Sequence, residues 1–116
     1  MVTVYGIPSC GTVKKARAHL DANGVEHGFV DFRATPPSRE QVDRWVAAFG
    51  AKALRNTSGG SFRALGAEKD SWSDERWAEA FTADPMLVRR PVIERDGTPV
   101  VVGYRDPDAA LATIRA

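Results

Sequence analysis

The sequence predicts an α/β fold: a four-stranded mixed sheet, built in the order β-α-β and then β-β-α, with a helical insertion in the middle. Three observations predict it. The first 32 residues alternate strand-like, helix-like and strand-like patterns. Helical periodicity then dominates the centre of the chain, and a hairpin signal precedes one last amphipathic segment.

The first β-α-β unit is read from its apolar pattern and its stop signals. "VTVYG" (Val2 to Gly6) is a short β-branched and aromatic run that ends at glycine. "GTVKKARAHLDANG" has a helical apolar face and ends at the Asn23-Gly24 pair, and "HGFVDF" (His27 to Phe32) reads as a second strand. The spacing suits a right-handed crossover, so we expect these two strands to be parallel.

The middle of the chain, Ser38 to Asp84, is predicted to be the helical insertion. Ser38 and Gln41 form a capping box, and Gly50 ends a helix with an apolar stripe of Val42, Trp45, Val46 and Phe49. Arg55 to Gly66 is polar and glycine-rich, which predicts a loop leading into a short turn. Ser73 caps a further helix, in which Trp77 and Phe81 anchor one face.

The last third of the chain predicts two antiparallel strands and a helix. "RRPVIERDGTPVVVGY" has two apolar runs around the Asp96-Gly97 turn signal. Asp106 caps the final helix, Pro107 takes its first position, and Leu111 and Ile114 face inward. This order of elements is the arrangement of the thioredoxin-like fold.

Composition limits what the chain can do. Its 116 residues, 43% hydrophobic, predict a single domain spanning residues 1–116. A formal net charge of +1 gives no general attraction to nucleic acid or to an anionic membrane. One cysteine and no long apolar stretch favour a cytoplasmic protein. His19 and His27 show no ligand spacing, so no metal site is expected.

Cys10, the only cysteine, falls where the first strand gives way to the first helix. Unpaired N–H groups and the positive end of the macrodipole stabilise negative charge at such a position, which suits a nucleophilic thiolate. The alternative is a small buried core residue, because free cysteine is often buried. Val13 stands where a CxxC motif would place its second cysteine, so any disulfide at Cys10 must be intermolecular.

Four neighbours of this position are candidate substrate-binding or catalytic residues. "SCGT" offers the N–H groups of Gly11 and Thr12 to an oxyanion. Pro91 cannot donate to a sheet ladder and therefore belongs at the first residue of the third strand or at a sheet edge. In a thioredoxin-like sheet it would be cis and lie against the start of the first helix. Arg90 could then reach an anion bound at Cys10 with its forked donors, or it could simply be a surface arginine.

Four segments together resemble the arsenate reductase-like (ArsC/Spx) family: "YGIPSCGTVKKAR", "TPPSREQV", "NTSGGSFRALG" and "VRRPVI". The resemblance runs essentially end to end and keeps the motif order. It implies a thioredoxin-like fold with a helical insertion, and it implies that Cys10 is catalytic.

Two branches of that family are distinguished by particular residues. For the glutathione-linked arsenate reductases, the resemblance implies three arginines around the cysteine. Arg90 matches one of them, whereas the others fall on Asn56 and near Val102 and Gly103. Arg55 or Arg105 could substitute for the missing arginines, but neither occupies a matching position. Arsenate reduction is therefore the alternative function and not the leading one.

"NTSGGSFRAL" and "GTPVVVGY" are closer to the YffB-like branch, and this resemblance implies a glutathione-dependent thiol reductase. Glutathione would be a co-substrate rather than a bound cofactor, and a glutaredoxin or a protein disulfide is a further expected partner. The implied pocket residues are Asn56, Thr57, Arg63 and Arg90. Spx-type regulators commonly use a CxxC switch, which Val13 excludes here. A protein-binding regulator is therefore a third alternative, after the two reductases.

Overall fold

The structure is a computed structural model that describes all 116 residues. The chain divides into two compact units, one formed by Met1–Thr35 with Arg90–Ala116 and the other by Pro36–Arg89. The second unit contains the predicted helical insertion with a few residues added at each end. Whether the chain behaves as one domain stays a prediction.

The first unit is built on a four-stranded mixed sheet in the order β2-β1-β3-β4. The pair β1–β2 is parallel, whereas β1–β3 and β3–β4 are antiparallel. This confirms the predicted sheet and the predicted pairing of its strands. The strands are β1 (Val2–Gly6), β2 (His27–Asp31), β3 (Val92–Arg95) and β4 (Thr98–Val102).

Six α-helices complete the chain, and the second unit adds two 3₁₀ turns, Ala67–Ser71 and Pro85–Leu87. The first and last helices belong to the first unit, and the other four belong to the second. The helices are α1 (Gly11–Ala22), α2 (Arg39–Phe49), α3 (Ala51–Leu54), α4 (Gly60–Arg63), α5 (Asp74–Ala83) and α6 (Pro107–Arg115).

Helix α4 lies within Arg55 to Gly66, the segment predicted to be a loop leading into a short turn. One helical turn forms inside this segment, with the Ala64 N–H donating to the Gly60 carbonyl. Four residues are too few to show a period, and the segment is rich in glycine. The turn instead carries Phe62, whose ring stacks on the buried Trp77 at 6.2 Å between centroids.

The predicted hairpin forms between β3 and β4, and its turn has the conformation that the sequence signal requires. Asp96 and Gly97 both have positive φ angles, of 53° and 81°. A two-residue turn of this kind matches the right-handed twist of the flanking strands. Pro99 lies in β4, an edge strand, where a missing N–H donor is tolerated.

Each unit has its own buried residues. In the first unit, Val4 and Ile93 of the sheet cluster with Leu20 of α1 and Ile114 of α6. In the second unit, the largest fully buried side chains are Trp45, Leu54, Trp77 and Phe81. Trp45 and Trp77 are therefore the core residues that the sequence predicted, whereas Trp72 is half-buried and packs edge-on against Trp77. No helix is long and apolar enough to cross a membrane.

Candidate functional site

Cys10 is the residue immediately before α1, in the position where a capping side chain normally stands. Its backbone is extended, with φ −74° and ψ 124°, and its side chain makes no capping hydrogen bond. Its N–H donates to the Ile7 carbonyl at 3.2 Å, and its carbonyl accepts from the Lys14 N–H at 3.0 Å. Cys10 is a free cysteine and only half-buried, which does not fit the alternative of a core residue.

The first turn of α1 leaves its backbone donors without an acceptor inside the helix. Gly11, Thr12 and Val13 precede the first helical hydrogen bond, which Lys14 donates. Gly11 and Thr12 are exposed, and the first turn contains no acidic residue. An anionic group beside Cys10 would therefore meet unpaired N–H donors and no repelling carboxylate on this turn.

The backbone at Arg90 passes close to this end of α1, next to Gly6. A Cβ atom on Gly6 would lie 2.6 Å from Val13 Cγ2 and 3.7 Å from Arg90 Cβ. The end of β1, the start of α1 and the segment that precedes β3 therefore converge at one glycine. The Arg90-Pro91 peptide bond is cis, as expected, and the buried Pro91 accepts from the Gly103 N–H at 2.8 Å.

The remaining predicted pocket residues lie in the second unit. Asn56 makes structural contacts there: its Nδ2 donates to the Met86 carbonyl at 3.3 Å and its Oδ1 accepts from the Ser58 hydroxyl at 3.1 Å. Arg63 donates to the Ser58 carbonyl at 2.7 Å, and Thr57 is exposed. Their part in a substrate pocket stays a prediction.

Arg17, seven residues after Cys10, does not have the solvated environment that is usual for an arginine on a helix surface. It is half-buried, with its Cζ 4.4 Å from the centroid of the Phe29 ring, and its buried Nε has no hydrogen-bond partner. The signal available in the sequence was helical spacing, since Arg17 lies between Lys14 and Asp21 on one face of α1.

A second polar cluster of the first unit joins α1 to α6. The Tyr104 hydroxyl lies 2.8 Å from His19 Nδ1, and His19 Nε2 lies 3.6 Å from an Asp108 oxygen. Burial, and secondarily the charge of Asp108, raise the pKa of Tyr104 above its ordinary value. No group of three or more histidine, cysteine, aspartate or glutamate residues could hold a metal ion.

Comparison with known proteins shows the family to which this chain belongs. The model of the ArsC family matches residues 5–112. The chain belongs to the ArsC family. Like the residue-based resemblance, the match includes both Cys10 and Arg90.

Three proteins illustrate the ArsC relationship. A solved structure of a protein named YffB superposes with a TM-score of 0.88 at 36% identity, covering 98% of this chain and 99% of that one. The uncharacterised protein YusI of Bacillus subtilis is 32% identical over 109 residues, which are 90% of this chain and 92% of that protein. An arsenate reductase of Rhizobium meliloti is 35% identical over 95 residues, 79% of this chain and 67% of that protein.

These findings confirm the family, its thioredoxin-like fold and the similarity to the YffB branch. ArsC relatives named arsenate reductase are oxidoreductases, and this chain is an enzyme of that family.

Proposed function

We propose that this ArsC-family protein is a cytoplasmic thiol reductase in which Cys10 is the single redox-active cysteine and glutathione is the co-substrate. The observation that carries the proposal is the start of α1. Cys10 is half-exposed there, the first turn has neither a capping side chain nor an acidic residue, and Arg90 meets this end of α1 at Gly6.

The proposed reaction is a two-step thiol–disulfide exchange. In the first step, the Cys10 thiolate attacks the glutathione sulfur of a mixed disulfide RSSG; a new S–S bond forms at Cys10 and RS⁻ leaves. In the second step, a glutathione thiolate attacks the glutathione sulfur bound to Cys10, so that glutathione disulfide forms and the Cys10 thiolate is released. Overall, one glutathione thiol is oxidised for each RS⁻ released as a thiol, because the other sulfur of glutathione disulfide was already in the mixed disulfide.

The backbone around Cys10 suits both steps. Cys10 is the attacking group in the first and the leaving group in the second, and exchange rates depend on both roles. The N–H groups of Gly11 and Thr12 stabilise the sulfur anion each time, because they precede the first helical hydrogen bond. Arg90 would hold a carboxylate of the bound disulfide, and the cis Pro91 would shape the groove beside it.

The proposal also concerns which disulfide substrates and thiol partners react with Cys10. The N–H groups at the start of α1 donate to the Cys10 sulfur anion whatever group the leaving sulfur carries, so a glutaredoxin or a protein disulfide could replace the small disulfide. Asn56, Thr57 and Arg63 are proposed to contribute to the recognition of glutathione or substrate.

Arsenate reduction is a second candidate, favoured by the name of the Rhizobium meliloti relative and by Arg90. In that reaction arsenate would take two electrons from two glutathione molecules, giving arsenite, water and glutathione disulfide. Against it, one of the missing arginine positions falls near Gly103, whose φ of +75° disfavours any larger side chain. A Spx-like regulator that binds another protein stays a prediction.

The test is a turnover assay coupled to glutathione reductase, run in parallel with the mixed disulfide of glutathione and 2-mercaptoethanol and with arsenate. Cys10→Ser should reduce disulfide turnover at least about 100-fold, since the attacking thiolate is removed. Arg90→Lys should raise KM about tenfold with a smaller effect on kcat, because a lysine keeps the charge but loses the fork. Arg33→Lys, at an exposed arginine, is the matched control.

Each outcome of the turnover assay favours one of the candidate functions. Cys10-dependent turnover of the disulfide alone supports the proposal, whereas turnover of arsenate alone supports the second candidate. Cys10→Ser that retains disulfide turnover contradicts the single-cysteine mechanism. A stable protein complex that survives Cys10→Ser, without turnover of either substrate, favours the binding regulator.

A further inference from the structure

A groove runs along α1 beside the loop that carries Cys10. Its cavity has a volume of about 290 Å³, and Pro8, at its lining, is two residues before Cys10. The other lining residues recur at helical spacing on one face of α1 and belong, like Pro8, to the first unit. They are Val13, Lys14, Arg17, Ala18 and Asp21.

The charges in this groove are arranged to receive an anion. Lys14 and Arg17 supply two cations within one helical turn, and Asp21 supplies one carboxylate a turn further on. Arg17 is held in place by the Phe29 ring, and its Nε is removed from solvent without an acceptor. A half-buried guanidinium without a hydrogen bond or an ion pair is costly, so a carboxylate bound in the groove would supply the partner that Arg17 lacks.

We propose that this groove binds the γ-glutamyl end of glutathione, an inference that rests on the proposed function. Arg17 would hold the α-carboxylate of that end, and Asp21, four residues on, would accept from its α-ammonium group. Lys14 adds positive charge beside the carboxylate. The pairing of one cation with one anion at i and i+4 matches the two charges of a free amino-acid head group.

The length of the groove fits this ligand. Arg17 lies seven residues after Cys10, which corresponds to about 10 Å along the helix axis. In extended glutathione, eight bonds separate the sulfur of the central cysteine from the α-carboxylate carbon of the γ-glutamyl residue, a span of about 10 Å. Glutathione can therefore present its sulfur to Cys10 while its γ-glutamyl head group reaches Arg17, and its second carboxylate remains for Arg90.

The experiment measures the rate at which Cys10 forms a mixed disulfide, followed by intact mass, with two disulfides. One is glutathione disulfide, and the other is cysteinylglycine disulfide, which lacks the γ-glutamyl group. Arg17→Gln should slow the reaction with glutathione disulfide about tenfold and leave the other reaction within twofold of the parent. Lys15→Gln, at an exposed neighbour that does not line the groove, should change neither.

The comparison of the two disulfides separates recognition from damage to the fold or to the thiol. If Arg17→Gln slows both reactions equally, or neither, the proposed groove is overturned. Arg17→Lys provides a second variant that keeps the charge and the stem over Phe29, and it should recover part of the lost rate.

Binding of S-methylglutathione, which cannot exchange, distinguishes failure of this inference from failure of the proposed function. The parent protein should bind it, and Arg17→Gln should weaken that binding about tenfold. If Cys10 reacts with neither disulfide, the thiol reductase proposal fails; Arg17-dependent binding of S-methylglutathione would still support the groove, and its absence would overturn it.

Discussion

The start of α1 differs from the starts of α2, α5 and α6, although all four begin after a residue in extended conformation. Ser38, Ser73 and Asp106 cap the other three helices, each accepting from a backbone N–H two or three residues into the helix. Each of those three also has an acidic residue in its first turn. Helix α1 has Cys10 at the capping position, no side-chain cap and no acid in its first turn.

The difference shows which helix N-termini are stabilised by the protein itself and which one is left open to an anion. At α2, α5 and α6 the free N–H groups are satisfied by the protein itself, which stabilises the fold by about 1 kcal/mol per cap. At α1 that stabilisation is given up, and the donors remain for a sulfur anion or a ligand. An uncapped helix in a chain that otherwise caps its long helices is therefore consistent with a functional role for Cys10.

The largest expected effect concerns Gly6, which allows α1 to approach the end of β1. Gly6→Ala would place a Cβ 2.6 Å from Val13 Cγ2, and Val13 is fully buried and cannot swing aside. We expect a loss of about 1–3 kcal/mol in the free energy of unfolding, measured by urea denaturation, together with lower turnover.

Gly28→Ala is the matched control, because Gly28 lies in the neighbouring strand β2 and an added Cβ there meets nothing within 4 Å. It should change the free energy of unfolding by less than about 1 kcal/mol. Equal effects of the two substitutions would show that close packing at Gly6 does not hold the start of α1.

An intermediate effect should appear when α1 is given the cap that it lacks. Cys10→Ser places a capping hydroxyl on a backbone that is already extended, so the free energy of unfolding should rise by about 0.5–1 kcal/mol relative to Cys10→Ala. Ser73→Ala should lose about 1 kcal/mol at α5 and leave turnover unchanged. A Cys10→Ser protein no more stable than Cys10→Ala would argue that the α1 donors are already satisfied.

The smallest effect concerns Asp108, the acidic residue in the first turn of α6. Burial and Asp108 raise the pKa of Tyr104 above the value of the unfolded chain, so the stabilisation from the neutral phenol is complete below about pH 10. It is lost as the pH rises through the folded-state pKa. Asp108→Asn should lower that pKa, although burial keeps it above the ordinary value.

The measurement is the ultraviolet titration of tyrosinate, with Tyr104→Phe used to identify the signal, since the chain has a second tyrosine, Tyr5. A titration midpoint that is unmoved by Asp108→Asn would remove Asp108 as a cause. A midpoint that rises would contradict the sign of the interaction.

Local signals in the sequence were sufficient for most elements of the fold. The capping box of Ser38, the cap of Ser73, the Asp96-Gly97 turn and the position of Cys10 before α1 were all predicted correctly. Each depends on residues within about four positions of one another, where helix and turn geometry fix the contacts. The sequence predicted a short turn near α4 but not its helical form, because Phe62 of this turn packs against Trp77, fifteen positions away.

The environment of Cys10 likewise has one part that the sequence predicts and another part that depends on the tertiary structure. The sequence by itself determined that one cysteine stands at a helix start beside free N–H donors, because backbone geometry alone creates that environment. Only the tertiary structure decided that Gly6 brings Arg90 to α1, and that Arg17 lies half-buried over Phe29 in a groove. These contacts join residues far apart in the chain, and their burial depends on which strands and helices pack together rather than on any local pattern.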